Sequence, residues 1–227
     1  MIHLSDIHND PSFLHICRNL AEFHEPEPVM ITGDLSNNGD ELELLYVAAC
    51  IEILRGSGHR VMVCPGNHDE RILGNFESSE SRKNWEAHIS KDPYPQRWII
   101  EGVTYIMLDS TETSNEFSAT GRIGKRQLET LDILLSDSEP PIIVGLHHRP
   151  LMTPGMMSHL MKLHDGFDLM QMVKGRVAAV CYGHQHDSRV DIVDGIQYYS
   201  CGKTTDPVDG QYRFRRISPD SWEWVVD

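Results

Sequence analysis

One local event recurs along this chain and constrains its fold more than any other feature. An apolar run with the character of a buried strand stops, and metal-binding side chains follow at once. It happens at Asp6-Ile7-His8, Gly33-Asp34, Gly66-Asn67-His68-Asp69, His147-His148 and Gly183-His184-Gln185-His186. Between the first three blocks, strands and helices alternate. Ile2 to Ser5 reads as a short strand. Asp10 and Pro11 have the character of a helix start, with Phe13, Ile16, Cys17 and Leu20 at helical spacing behind them. Val29 to Thr32 reads as a second strand. Leu44, Val47, Ala48, Ile51 and Leu54 mark a second helix that closes near Gly56, and Arg60 to Cys64 a third strand. This alternation predicts an α/β protein with βαβ units and a mostly parallel sheet. In such sheets ligands bind at the loops beyond the carboxyl ends of the strands, where these blocks fall.

The remainder continues in the same style. A helix is expected over 76–90, paired strands over 98–101 and 103–109 around Gly102, and a helix carrying Gln127, Leu128, Leu131 and Leu135. A strand over 141–146 precedes His147, a Met-rich helical stretch covers 156–173, and a strand over 176–182 precedes His184. Short strands over 189–193, 196–200, 212–217 and 222–226 follow. No repeat, low-complexity run or linker divides the chain, so residues 1–227 are expected to form a single domain.

Composition removes several classes of function. Five cysteines, an odd number without a C-x-x-C pair, argue against a disulfide framework or a zinc knuckle. Cys64 and Cys181 read as small core residues. No apolar run approaches the ~18 residues of a membrane span, and no signal peptide is visible ahead of Asp6, so a cytoplasmic protein with no membrane partner is expected. The formal net charge is −14, and the only basic cluster is Arg213-Phe214-Arg215-Arg216 in a strand-like tail. A protein that follows a phosphate backbone needs clustered cations, so long nucleic acid is not the expected partner.

Carboxylate, amide oxygen and imidazole together suit two divalent ions held side by side. Such ions repel and need a bridging anion, for which Asp34, at the end of a buried strand, is the best candidate. Asp6 and His8 are two residues apart and would face the same side at a strand end, as would His184 and His186, although the second pair has the option of diverging to separate ions. Asn67 binds metal without adding charge. The glycines before Asp34, Asn67 and His184 allow a sharp turn and leave room beside the ions. Each block alone is close to noise: Gly-Asn-His-Asp makes an ordinary turn, and Gly-His-x-His an ordinary surface loop. Their coincidence after five predicted strands carries the reading. Of thirteen histidines, six lie in the blocks, and His3, His15, His24, His59, His88, His159 and His164 read as ordinary residues.

Taken in this order, the blocks resemble those of the calcineurin-like metallophosphoesterases, over residues 6 to 186. The resemblance implies a four-layer α/β/β/α sandwich with a dinuclear metal site at the carboxyl ends of the strands, and with the C-terminal short strands in much of the second sheet. By position, Asp6, His8 and His186 would hold one ion, Asn67, His147 and His184 the other, and Asp34 would bridge them. His68 matches the histidine that faces the substrate phosphate and leaving group, and Asp69 the acid that would orient it. Within the family, Gly33-Asp34-Leu35-Ser36-Asn37-Asn38-Gly39 and Gly121-x-Ile123-x-x-x-Gln127-Leu128-x-x-Leu131 resemble small cyclic-nucleotide phosphodiesterases. A departure is His147-His148-Arg149-Pro150, where Pro usually stands at 149. Arg149 has two readings, a contact to substrate phosphate or a pair with a surface carboxylate, the second being favoured.

The resulting expectation is a hydrolase that cleaves a small phosphodiester, a 3′,5′-cyclic nucleotide first, by attack of a hydroxide shared between two divalent ions, manganese, iron, zinc or a mixture. His68 would protonate or hydrogen-bond the departing oxygen. Met152, Met156, Met157 and Met161 either wall the pocket or form a packed helix face. Competing readings are a DNA nuclease, a phosphomonoesterase, a nucleotide pyrophosphatase and, least favoured because every expected ligand is present, a non-catalytic scaffold.

Overall fold

The computed structural model describes residues 1–70, 78–111, 119–152, 161–218 and 221–226. The strands are β1 (Ile2–Leu4), β2 (Pro28–Thr32), β3 (Arg60–Cys64), β4 (Gln96–Ile100), β5 (Val103–Met107), β6 (Ile142–Gly145), β7 (Ala179–Tyr182), β8 (Ser188–Val193), β9 (Ile196–Cys201), β10 (Arg213–Ser218) and β11 (Ser221–Val226). The helices are α1 (Ser12–Phe23), α2 (Glu41–Gly56), α3 (Ser78–His88), α4 (Lys125–Ser136) and α5 (Gly166–Val173).

These strands make two sheets rather than one central sheet. The first has the order β11-β10-β1-β2-β3 and the second β4-β5-β6-β7-β9-β8. Parallel pairing is confined to β1-β2-β3 and β5-β6-β7-β9, and β10, β11, β4 and β8 join antiparallel. The C-terminal strands divide between the sheets, β8 and β9 entering the second and β10 and β11 the first, which corrects their expected placement together.

Period-two alternation decides which side chains fill each layer. On β2 and β3, Val29, Ile31, Val61 and Val63 pack outward against α1 and α2 with Phe13, Ile16, Leu20, Leu44 and Leu54. Met30, Met62 and Cys64 point the other way, between the sheets, and meet Tyr105, Met107, Ile143, Cys181 and Tyr199. The second sheet's opposite face sends Ile106, Val144, Val180 and Tyr198 against Leu128, Leu131, Leu169 and Val173 of α4 and α5. Three apolar layers separating helix, sheet, sheet and helix give the α/β/β/α sandwich.

Local chemistry explains the helix ends near the site. Pro11 has helical dihedrals (φ −58°, ψ −23°), and the Asp10 carboxylate accepts the Ser12 N–H at 2.9 Å, so the first helix is capped as its sequence predicts. Asp40 caps α2 by accepting the Leu42 N–H. Among the described residues of the Met-rich stretch, Gly166–Val173 is helical. Residues 153–160, with Met156 and Met157, lie outside the described residues.

All five cysteines are buried and free. The basic tail is consumed by structure: Arg213 lies 3.5 Å from Asp209, and Arg216 pairs with Glu27 at 2.8 Å. Arg215 sits between the sheets, 1% exposed, and its Nε donates to the Ser200 carbonyl. No described helix is long and apolar enough to cross a membrane.

His3 also lies between the sheets, its Nε2 2.9 Å from the Thr32 hydroxyl. Burial, reinforced by the Arg215 charge and opposed by Asp6, pushes its pKa down to about 3. The folded ring therefore stays neutral while the unfolded chain takes up a proton near 6.5, so His3 withdraws stability as the pH falls from 6.5 toward about 3. His3→Gln is expected to lose less stability than the wild type between about pH 7.5 and about pH 5 in urea titrations of the metal-free protein.

Candidate metal centre

All five blocks meet at the carboxyl ends of β1, β2, β3, β6 and β7. Two groups of donors form there, Asp6-His8-Asp34-His186 and Asp34-His147-His184, and within each the donor atoms all lie within 4.8 Å of one another. Asp34 belongs to both. In the first group, His8 Nε2 is 3.7 Å from Asp34 Oδ2 and 3.0 Å from His186 Nε2, and His186 Nε2 is 3.4 Å from Asp6 Oδ1. In the second, His147 Nε2 is 3.3 Å from Asp34 Oδ2, 3.1 Å from Asn67 Oδ1 and 3.2 Å from His184 Nδ1. His184 and His186 thus diverge, one to each group.

The donor chemistry fits a pair of cations. His147 Nδ1 faces the Thr32 carbonyl at 2.8 Å, which keeps the proton on Nδ1 and turns the Nε2 lone pair inward. That lone pair, a carboxylate oxygen, an amide oxygen and a second imidazole nitrogen then converge on one space, a set of acceptors short of hydrogens. Burial disfavours a charged His147, but the Asp34 carboxylate outweighs it and raises the pKa to about 9. Burial likewise opposes ionisation of Asp34, yet His147, then His68 and His8, hold it well below the usual carboxylate range. Burial, with the His147 charge, depresses His184 to about 3. His8 is lowered by burial, and His186 is raised, chiefly by its hydrogen bond to Asp6.

Backbone conformation, rather than strand alternation, aims these groups. Asp6 (φ 55°), His8 (52°), Asp34 (51°), His184 (75°) and His186 (54°) all lie in the left-handed region, beyond the last residue of their strands. The same-face logic for Asp6 and His8 is therefore replaced by two left-handed turns. Asp and His enter this region more readily than most residues with a side chain, at a cost of about 1–3 kcal/mol each. Of the glycines before the donors, Gly33 turns the chain (φ 86°), whereas Gly66 and Gly183 serve close approach. A Cβ on Gly66 would lie 2.2 Å from Asp34 Oδ1, and one on Gly183 1.9 Å from Ser5 Oγ.

His68 stands at the rim. Its N–H donates to Asp34 Oδ1 at 2.9 Å, its Nδ1 faces the Asn37 carbonyl at 2.7 Å, and its ring meets His8 edge-on at 4.8 Å between centroids. Asn37, not Asp69, orients the ring. Asp69 is buried and instead accepts from Leu35 N, Ser36 N, Ser36 Oγ and Gly66 N, which ties together the loops after β2 and β3. Burial, then the Asp34 charge, raises its pKa to about 6 against those hydrogen bonds. His148 turns away from the centre, its Nδ1 2.8 Å from Ser110 Oγ. Arg149 is 6% exposed and reaches no metal donor: Nη2 is 3.1 Å from Asp191 Oδ2 and Nη1 3.2 Å from Gln185 Oε1. Its carboxylate partner was the favoured expectation, although the guanidinium is buried rather than on the surface. Met152 is 94% exposed.

The family model for calcineurin-like phosphoesterases matches residues 1–188. The chain belongs to the calcineurin-like phosphoesterase family. Proteins of that family hydrolyse phosphoester bonds at a dinuclear divalent metal site, and this chain has Asp and His clusters of that kind. A protein of Psychrobacter sp. named a probable cyclic nucleotide phosphodiesterase is 26% identical over 205 residues, 87% of this chain, and the chain spans 58% of that protein's length. A Synechococcus protein named likewise is 24% identical over 216 residues, covering 88% of this chain and 77% of its own. Among solved structures, a dimetal phosphatase from Danio rerio superposes with a TM-score of 0.69 at 13% identity, covering 94% of this chain and 90% of its own. A phosphopantetheinyl hydrolase from Mycobacterium tuberculosis superposes at 0.58 with 14% identity over 89% of each chain. At such identity these two support the fold.

Gly66→Ala is expected to displace the Asp34 carboxylate and destabilise the protein by about 1–3 kcal/mol, as overpacking does. Chemical denaturation checks this, and an unchanged midpoint would show that the loop absorbs the methyl group.

Proposed function

We propose that this chain hydrolyses a small phosphodiester, a 3′,5′-cyclic nucleotide being the leading case, with Asp6, His8 and His186 on one divalent ion, Asn67, His147 and His184 on a second, and Asp34 between them. The observation that carries this reading is the membership of Asp34 in both donor groups. Two ions held there supply Lewis acidity toward a phosphoryl oxygen and lower the pKa of a nearby water.

The chain's own groups do the rest. Asn67 contributes an oxygen without charge, so the centre keeps more net positive charge for an anionic ester than a third carboxylate would leave. His147 and His184, both buried, exclude bulk water from the inner side of the centre and sharpen its electrostatics. His68 keeps Nδ1–H on the Asn37 carbonyl, so Nε2 is the ring nitrogen left for the departing oxygen, and it hands over a proton when the ring is doubly protonated, as imidazolium. Asp34 accepts the His68 backbone N–H, which couples the position of that ring to the shared carboxylate.

The diester preference rests on the names of the curated relatives and on charge. The net charge is −14, and Arg213, Arg215 and Arg216 are engaged within the fold. That leaves no basic track from this cluster for a long nucleic acid, which favours a compact substrate. The reading extends to one domain over residues 1–227 and to cytoplasmic work on a soluble nucleotide. His68→Ala is expected to keep two ions per chain and lose about 10²–10⁴-fold in kcat on a cyclic nucleotide. Elemental analysis beside steady-state kinetics checks both halves, and full turnover in the metal-loaded variant would remove His68 from the reaction.

A further inference from the structure

Arg149 follows directly after His147 and His148, yet its side chain turns away from the centre and into the second sheet. It makes three contacts there. Nη2 donates to Asp191 on β8, Nη1 donates to Gln185, and the guanidinium carbon lies 6.0 Å from the Tyr182 ring centroid at the end of β7. Gln185 is the residue between His184 and His186. One rigid fork therefore joins the loop carrying His147 to the loop carrying His184 and His186, and anchors both to an edge strand.

The loop after β7 has need of such an anchor. Gly183 N–H donates to the His147 carbonyl at 3.0 Å, and His184 N–H donates to the Asp6 carboxylate. Beyond them, the Gln185 N–H bonds within the same loop, to the Gly183 carbonyl. Both His184 and His186 have left-handed backbones, which persist only where surroundings hold them. A guanidinium presents two donors in fixed geometry, which a lysine ammonium cannot copy.

We propose that Arg149 is a positioning residue: by clamping Gln185 to Asp191, it fixes His184 and His186 against His147 and so sets the affinity of the centre for its metal ions. This rests on the dinuclear reading above. In this arrangement both terminal nitrogens of Arg149 are directed to protein partners rather than to a substrate phosphate, and the residue is 6% exposed.

The test is calorimetric titration of manganese into metal-free wild type, Arg149→Ala, Arg149→Lys and Asp191→Ala, with thermal melting of each metal-free protein and kinetics against manganese concentration. Arg149→Ala is expected to bind manganese about 10–100-fold more weakly, as loss of a ligand-orienting partner does, with Arg149→Lys and Asp191→Ala weakened less. Its kcat should return at excess manganese with KM for substrate unchanged. Unaltered manganese affinity in Arg149→Ala overturns the proposal. A raised KM that manganese does not restore also overturns it, in favour of substrate contact. If Arg149→Ala is already unfolded without metal, Asp191→Ala decides, and wild-type affinity in that variant sinks the clamp. A wild type that binds no manganese removes the dinuclear reading itself, a failure distinct from these.

Discussion

A carboxylate with 2% of its surface in solvent, Asp34, is the constraint around which the centre is arranged. A buried charge must be compensated by charge or hydrogen bonds, or it neutralises itself. Here the compensation comes from His147 at 3.3 Å, His8 at 3.7 Å and the backbone N–H of His68. These partners come from β6, β1 and β3, strands of both sheets. The sandwich therefore closes around Asp34, and the metal-binding geometry and the packing of the two sheets are the same problem solved at one place. Asp69 adds a second buried carboxylate nearby, stabilised by four donors from two loops, and the mutual repulsion of the two acids is part of why a cation is favoured between the blocks.

Much of this was legible in the residues. The strands ending at Leu4, Thr32, Cys64, Gly145 and Tyr182 could be found because each apolar run stops at a polar block, and the donor types could be read off those blocks. The division into two sheets could not be read from periodicity. Strands such as Val29-Met30-Ile31 are buried on both faces, so outward and inward positions are equally apolar and the alternation is silent. Nor could local pattern reveal that β10 returns across more than 200 residues of chain to pair with β1; the resemblance supplied the sandwich but not the division of the C-terminal strands.

In the site, the residue types were visible but their aim was not. Left-handed backbone at five of the donors has a faint signature, the clustering of Asp, His and Gly just after strands, which strand-end alternation imitates. Asp69 is expected to orient its neighbour His68, whereas its carboxylate is spent on backbone N–H groups and the Ser36 hydroxyl, which no side-chain motif reports. Arg149 shows the same limit: a carboxylate partner is the favoured expectation, and only the position of Asp191, 42 residues away in sequence, shows which carboxylate it is.

The most direct test of the central claim is a crystal structure of the manganese-loaded protein with anomalous scattering recorded at the metal edge. The account predicts two peaks about 3.5–4 Å apart, both within coordination distance of the Asp34 carboxylate. A single peak at saturating manganese, or two peaks with Asp34 bound to neither or to only one, would contradict it.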